Sequence, residues 1–218
     1  MISVIMPVFN AKLYLEESIE SILNQSVKNF EFIIINDGST DNSLDIIRQY
    51  KKIDSRIKVI NQENQGVTKS LNVGIKISKG KYLARMDADD ISVKNRFEEQ
   101  IKWLEEYNYD FCCSRTWWLE KNKGSNLIYC FIPFKISIKY TNPFIHGTYF
   151  FKKSIYDEIG GYNEKYIFSQ DYIFMREVIK RGYKIKYLKK ILYKSRLLSD
   201  GVSQKNKLNQ KKLLKLLK

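Results

Sequence analysis

Histidine occurs once, and proline and cysteine three times each, in 218 residues. The cysteines, Cys112, Cys113 and Cys130, are odd in number and show no CxxC spacing, so the pattern indicates neither a disulfide framework nor a zinc site. Small buried hydrophobes in a reducing compartment are the ordinary reading. No run approaches the roughly 20 apolar residues of a membrane span. The N-terminus lacks the basic start and long apolar core of a signal peptide. Together these absences predict a cytoplasmic protein. Glycine is also sparse at 10 residues, while hydrophobic residues make up 44% and aromatics 14% of the chain. Collagen-like, low-complexity and wholly disordered classes are therefore excluded, and a chain of this length can bury a sizeable core.

Acid is scarce in the second half. Residues 1–110 carry 15 Lys and Arg against 17 Asp and Glu, whereas residues 111–218 carry 23 against 7, so the net charge of +14 belongs to the second half. Such a half suits polyanions: nucleic acid, an anionic membrane surface or a phosphorylated substrate. Residues 204–218 hold six lysines, five leucines and no acid, a spacing that predicts a basic amphipathic tail able to lie on an anionic bilayer.

The first hundred residues alternate β-branched runs with helical patterns, the signature of a parallel sheet covered by helices. Strands are predicted at 2–8, 30–35, 57–60 and 81–86, and helices at 13–23, 41–53 and 66–78. Beyond Asp110 the pattern is irregular. Residues 111–153 read as short strands and loops, 154–159 and 170–181 as helices ended by glycines, and 184–187 as a strand. Two acidic turns, Asn36 to Asp41 and Asp87 to Asp90, follow predicted strands. The carboxyl ends of strands are where open α/β sheets place ligands. Three carboxylates in four positions repel one another unless a cation or donor neutralises them, although a solvated capped turn has the same composition. Hard cations such as Mg²⁺ or Mn²⁺ suit carboxylate oxygens.

Taken together, Val4-Ile-Met-Pro-Val-Phe-Asn10, Ser21 to Gln25, Asp37-Gly-Ser-Thr-Asp41, Asn64-Gln-Gly66, Asn72-Val-Gly74, Asp87-Ala-Asp-Asp90, Gly160-Gly-Tyr162 and Ser169-Gln-Asp171 resemble glycosyltransferase family 2, the inverting GT-A enzymes of bacterial surface-glycan type. The resemblance spans about residues 2–203, in order and in spacing. It implies an α/β GT-A fold, with a central, mainly parallel twisted sheet and helices on both faces. It further implies one domain over 1–203, with a nucleotide-sugar-binding half (1–110) and an acceptor-binding half (111–203), followed by the tail 204–218.

By the same resemblance, Pro7, Phe9 and Asp37 would hold the base and ribose of a nucleotide-sugar, with Asn10 also among the nucleotide-sugar-binding residues and UDP implied by Asp37 as acceptor from a uracil ring. Asp89 would ligate Mn²⁺ or Mg²⁺, with Asp87 beside it also touching ribose. Asp171 would be the general base, although spacing alone reads it as an acid stabilising a helix N-terminus. Arg85, two positions before Asp87, would approach the phosphates or pair with the acid. His146, Trp117 and Trp118 are acceptor-side candidates, with core packing the plain alternative. The sequence departs from the family pattern at Phe9, Asn36, Leu71, Lys94 and Leu198, which stand where Tyr, an acid, Arg, Pro and His are frequent. The expected function is transfer of a hexose or N-acetylhexosamine to a saccharide or lipid-linked saccharide. A nucleotide-sugar-binding protein without turnover is the alternative. A basic nucleic-acid-binding module has no motif to support it, so no nucleic-acid partner is expected.

Overall fold

The computed structural model describes residues 1–198, 206 and 208–210. β1 (Ile2–Val8) lies between β2 (Phe30–Asp37) and β4 (Tyr82–Arg85), and β3 (Ile57–Gln62) extends the sheet beyond β2. All these pairings are parallel, with Ile2 opposite both Phe30 and Tyr82 and Phe32 opposite Ile57. These strands read as continuous apolar runs because both faces are covered. Val4, Met6, Phe32 and Ile34 pack with Leu15, Ile19 and Ile22 of α1 (Leu15–Leu23) and Ile47 of α2 (Ser43–Ile53). Ile5, Ile33 and Ile35 point the other way, onto Leu71 and Ile75 of α3 (Val67–Lys76). The strand order 3-2-1-4 puts a topological switch point at β1, between β2 and β4.

The sheet continues into the second half. β8 (Phe150–Lys152) runs antiparallel to β4, β6 (Phe111–Trp118) antiparallel to β8, β9 (Ile185–Ser195) parallel to β6, and the two-residue β5 (Ile91–Ser92) antiparallel to β9. β7 (Lys123–Gly124) pairs with the end of β6. The mixed α/β architecture with a mostly parallel first half agrees with the expected fold class.

Several elements differ from the sequence pattern, among them the short β5, β9 and two helices. β9 extends to Ser195 rather than stopping near 187, because the register with β6 slips from Ser114–Leu188 to Arg115–Ile191. The bulge leaves Lys189 and Lys190 exposed and breaks the alternation that marks a strand. α4 (Arg96–Glu105) is absent from the predicted elements: its buried stripe is Arg96, Phe97, Gln100 and Leu104, half of it polar. α5 (Phe134–Tyr140) is a single pair of turns within a stretch that reads as loop. α6 (Lys153–Ile159) ends at Gly160, which is left-handed, as predicted from the glycine pair, and α7 is Gln170–Lys180. Of the predicted tail, only Asn206 and Leu208–Gln210 are described, Leu208 being exposed; the remainder lies outside the described residues. No helix among the described residues is long and apolar enough to cross a membrane.

Arg96 is fully buried, and its hydrogen-bond partners are carbonyl and amide oxygens rather than a carboxylate. Its Nε donates to Gln100 Oε1 at 2.9 Å, and Nη2 donates to the Arg85 carbonyl at 2.9 Å and to the Tyr149 carbonyl at 3.3 Å. Burial lowers its pKa to about 10. The guanidinium also stacks 5.1 Å from the Tyr193 ring. It thus ties α4 to β4 at the point where the acidic loop begins. Arg96→Met takes this donor from the Arg85 carbonyl and from Gln100 Oε1, while the Tyr149 carbonyl keeps the Arg85 N–H, and should cost about 2–4 kcal/mol. Urea unfolding of the two proteins measures it; an unchanged midpoint contradicts the assigned role.

Candidate active site

The crevice is built from strand ends. After β1, Asn10 adopts a left-handed conformation (φ 50°), which Asn tolerates better than most residues. Its N–H donates to Ser39 Oγ at 3.1 Å, and its Oδ1 accepts from the Thr40 N–H at 2.8 Å. The next two amides donate to Ser43 Oγ at 2.9 Å and Asp41 Oδ2 at 3.1 Å. Asn10 therefore stitches the loop after β1 to the loop after β2. Phe9 stands at the rim, 52% exposed, and Pro7 is half-buried.

Asp37 is the last residue of β2 and is buried. Its Oδ1 accepts from Gln62 Nε2 at 2.8 Å and the Gln65 N–H at 2.9 Å, and its Oδ2 accepts from the Gly66 N–H at 2.9 Å. Gly66 is the residue before α3, so the carboxylate occupies the helix start, where amides lack partners and the dipole favours an anion. Gly38 lets the turn close: a Cβ there would lie 2.6 Å from the Asn64 amide nitrogen.

The second acidic turn leaves β4. Arg85, 5% exposed, donates from Nη2 to Asp87 Oδ1 at 2.6 Å, while its Nε and Nη1 have no partner among the described residues. The Asp87 N–H donates to the Tyr193 hydroxyl at 3.0 Å. Gly147 is packed so closely that a Cβ would lie 2.7 Å from Asp87 Oδ2. Arg196 closes the loop from the other side. Its N–H donates to Asp90 Oδ1 at 2.8 Å, its guanidinium to the Asp89 carbonyl and to Glu17, and it stacks 4.4 Å from the Tyr14 ring. From beneath, the Ser18 hydroxyl holds the Asp90 carbonyl at 2.7 Å. Burial and the Asp87 charge push the Asp89 carboxyl up to about 6, and the same two causes, with Asp89 added, raise Asp90 well above the usual range.

Asp171 opens α7 behind Ser169, itself left-handed at φ 62°. Asn142 Nδ2 donates to Asp171 Oδ2 at 2.7 Å. Burial raises its pKa above the usual value, the helix amides and Asn142 oppose that rise, and the Asp87 charge adds to it. His146 lies beside this group with Nε2 3.0 Å from the Tyr162 hydroxyl and its ring edge-on to Tyr149 and Tyr162. Burial and the nearby Arg85 charge depress it well below its ordinary pKa, so it stays neutral. Trp117 and Trp118 are half-buried on opposite faces at the end of β6, three strands from β1, paired with Gly124 and Lys123 of β7.

The structure thus gathers Arg85, Asp87, Asp89, Asp171 and His146 on one side of the switch point and Pro7, Phe9 and Asp37 on the other, with Asn10 between the loops. Sequence reasoning did not single out Tyr193, Asn142 or Ser18. Their polar groups carry no spacing signal, being supplied from a different element than the loop they hold. Arg196 was visible only as the start of Arg196-Leu-Leu198, where a missing His draws attention instead.

Among the described residues, no group of three or more His, Cys, Asp or Glu side chains is arranged to hold a metal. Two carboxylates, one of them pushed up to about 6 by burial and by the charge of the other, fit the mode in which Mg²⁺ or Mn²⁺ uses one or two carboxylates and completes its shell with substrate phosphates. A groove of about 1090 Å³ lies elsewhere, between α5 and α7, and meets the site at Tyr162; Lys135, Lys139, Tyr166 and Glu177 also line it.

A parallel sheet with acidic turns at its switch point and antiparallel strands added beyond β4 is a GT-A glycosyltransferase fold. It matches Staphylococcus aureus TarS solved with UDP-GlcNAc at TM-score 0.80 and 21% identity, over 94% of this chain and 60% of that one. The mannosyltransferase PcManGT of Pyrobaculum calidifontis, solved with GDP-Man and Mn²⁺, matches at 0.73 and 18% identity, over 92% and 58%. The chain belongs to glycosyl transferase family 2, whose family model matches residues 3–163. Among curated relatives, the putative glycosyltransferase EpsE of Bacillus subtilis is 38% identical over 74% of this chain and 59% of its own length. The putative teichuronic acid biosynthesis glycosyltransferase TuaG of the same species is 39% identical over 51% of this chain and 44% of its own length. The chain spans between 16% and 59% of the length of such relatives.

Asp89 provides a test that needs no turnover. A carboxyl whose pKa rises from 3.8 unfolded to about 6 folded binds its proton more tightly when folded, so it lowers stability progressively as pH climbs through that interval and fully above about 6. Asp89→Asn should therefore stabilise metal-free protein at pH 7.5, by at most about 3 kcal/mol, with the difference gone below about pH 4. Added Mn²⁺ should stabilise the wild type and not the variant. Melting temperatures that run parallel across the whole pH range contradict the assignment.

Proposed function

We propose that this chain transfers a hexose or N-acetylhexosamine from a nucleotide-sugar, with UDP as the carrier, to a hydroxyl of a surface-glycan or lipid-linked saccharide, in one displacement that inverts the anomeric centre. The observation that carries the reading is Asp171: a half-buried carboxylate, fixed by Asn142 and feeling the Asp87 charge across the crevice. A base of raised pKa is better matched than an ordinary carboxylate to accept the acceptor hydroxyl's proton as that oxygen attacks. No second nucleophilic carboxylate is needed, because no glycosyl-enzyme forms in a single displacement.

Donor binding falls to the other residues. Phe9 offers an exposed ring for the base, Pro7 shapes the pocket floor, and Asp37 retains a lone pair on Oδ2 for a ring N–H. Asn10 acts by holding the two loops together rather than by touching the donor. Asp87 and Asp89 would hold Mn²⁺ or Mg²⁺, which when bound supplies positive charge to the departing diphosphate. Arg85, buried behind Asp87, aims that carboxylate through the 2.6 Å bond from its Nη2. His146, neutral and bonded to Tyr162, shapes the acceptor side and does not exchange protons. Trp117 and Trp118 lie too far along β6 for the acceptor hydroxyl itself and would serve only a more distant sugar unit. The TuaG name and the UDP-GlcNAc bound by TarS support the acceptor class and the carrier. The alternative reading is a protein that binds nucleotide-sugars without turnover.

A panel of UDP- and GDP-sugars with Mn²⁺ or Mg²⁺, followed by thermal shift and by release of free nucleotide, separates the two. Binding with release supports transfer; binding without release under every acceptor supports the alternative. Asp171→Asn should leave donor affinity near wild type and cut transfer about a hundred-fold or more. For the wild type, kcat should rise with pH through a carboxyl pKa above the ordinary range, since the base must be ionised, and the variant should lose that limb. An unchanged rate would remove Asp171 from this role. Excess chelator should abolish donor-induced stabilisation, whereas full donor affinity in chelator would remove Asp87 and Asp89 from metal binding.

A further inference from the structure

Several exposed large apolar side chains crowd one stretch. Leu127, Ile128, Phe131, Ile136 and Tyr140 are between 41% and 71% exposed and fall within fourteen positions. Single exposed hydrophobes are common on proteins, but this many close together in sequence and interleaved with lysines suit an interaction surface.

The local structure explains the exposure. The turn Leu127–Cys130 packs on β9, with Cys130 Sγ 4.0 Å from the Leu188 carbonyl and Lys189 Nζ 4.5 Å from the Phe131 ring. α5 then turns Phe134 and Ile138 inward: the Phe134 ring lies 5.2 Å from Phe144, and the Ile138 carbonyl accepts from the Tyr172 hydroxyl at 3.1 Å. With that stripe committed to the core, Lys135, Ile136, Lys139 and Tyr140 face outward. α5 leads directly into Asn142, which holds Asp171. The surface therefore adjoins the candidate acceptor side.

Charge selects the occupant. Residues 121–156 contain six lysines and no Asp or Glu. The carboxylates of Glu164 and Glu177 sit in the groove between α5 and α7, where Lys135 and Lys139 also reach. A second copy of this face would bring lysines against lysines. The segment 204–218, with six lysines and no acid, is repelled in the same way. An anionic lipid surface satisfies both features at once: its headgroups take the lysines, and its acyl boundary takes the apolar side chains.

We propose that residues 121–140, through Ile128, Phe131 and Ile136 with Lys135 and Lys139, form a docking face for an anionic membrane surface. The face is separate from the transfer chemistry, and the test reads vesicle binding alone.

The full chain is co-sedimented with vesicles of phosphatidylcholine alone and with about 30% phosphatidylglycerol, at low salt and at about 0.5 M salt. Wild type should pellet on the anionic vesicles only, and high salt should release it. The triple change Ile128→Ser, Phe131→Ser, Ile136→Ser and the double change Lys135→Glu, Lys139→Glu should each reduce binding about five-fold or more. A chain ending at Ser203 should retain most of it. Circular dichroism and melting curves check the fold. Should a variant fail to fold, Phe131→Trp in the otherwise wild-type chain replaces it, and the tryptophan emission that it adds over wild type should be quenched by brominated acyl chains in the anionic vesicles. The proposal is overturned if the folded variants pellet like wild type, if binding is lost only on removing 204–218, or if the emission added by Phe131→Trp is not quenched. It is equally overturned if light scattering finds a dimer that the same changes break while no vesicle binding occurs.

Discussion

Mutual repulsion among Asp87, Asp89 and Asp90 is the constraint around which the middle and the end of the chain are arranged. Two arginines answer the turn: Arg85, two residues behind, bonds Asp87, and Arg196 bonds Asp90 through its amide and the Asp89 backbone carbonyl through its guanidinium. Burial and the Asp87 charge still raise the Asp89 carboxyl to about 6, and Asp90 is raised well above the usual range. Charge crowding of this kind is costly in a partly dry crevice.

The length of β9 follows from that constraint. Only a strand reaching past the acidic turn can deliver Tyr193 to the Asp87 amide and Arg196 to Asp90, and the bulge at Lys189–Lys190 realigns the strand on its way there. Arg96 acts from beneath, joining the carbonyls of Arg85 and Tyr149, so that β4 and the turn before β8 keep a fixed spacing. The two halves of the chain, so unlike in charge, are joined at this loop by one continuous sheet.

The parallel strands were legible because burial on both faces leaves unbroken apolar runs, and the acidic turns were legible because polar residues collect abruptly at their ends. α4 was not, since Arg96 and Gln100 occupy inward positions that periodicity expects to be apolar. β9 was cut short by a pair of exposed lysines that the bulge sets aside. At the site, the acids announced themselves by crowding, whereas their supports did not. Ser18, Asn142 and Tyr193 are ordinary residues in sequence and acquire meaning only through partners 29 to 106 positions away. Asn10 stood inside a motif, and only the structure distinguishes a residue that ties loops from one that faces a ligand.

Asp37 places a limit on how this crevice can diverge. The carboxylate that lines it also seats α3 through the Gln65 and Gly66 amides, and α3 supplies Leu71 and Ile75 to the core. An exchange at this position disturbs the crevice wall and the start of α3 together, so drift there is penalised twice. Phe9 bears no such double duty: its ring is half in solvent and secures no loop. Variation is free to accumulate at the rim of the crevice, while its floor stays fixed by the folding of a helix.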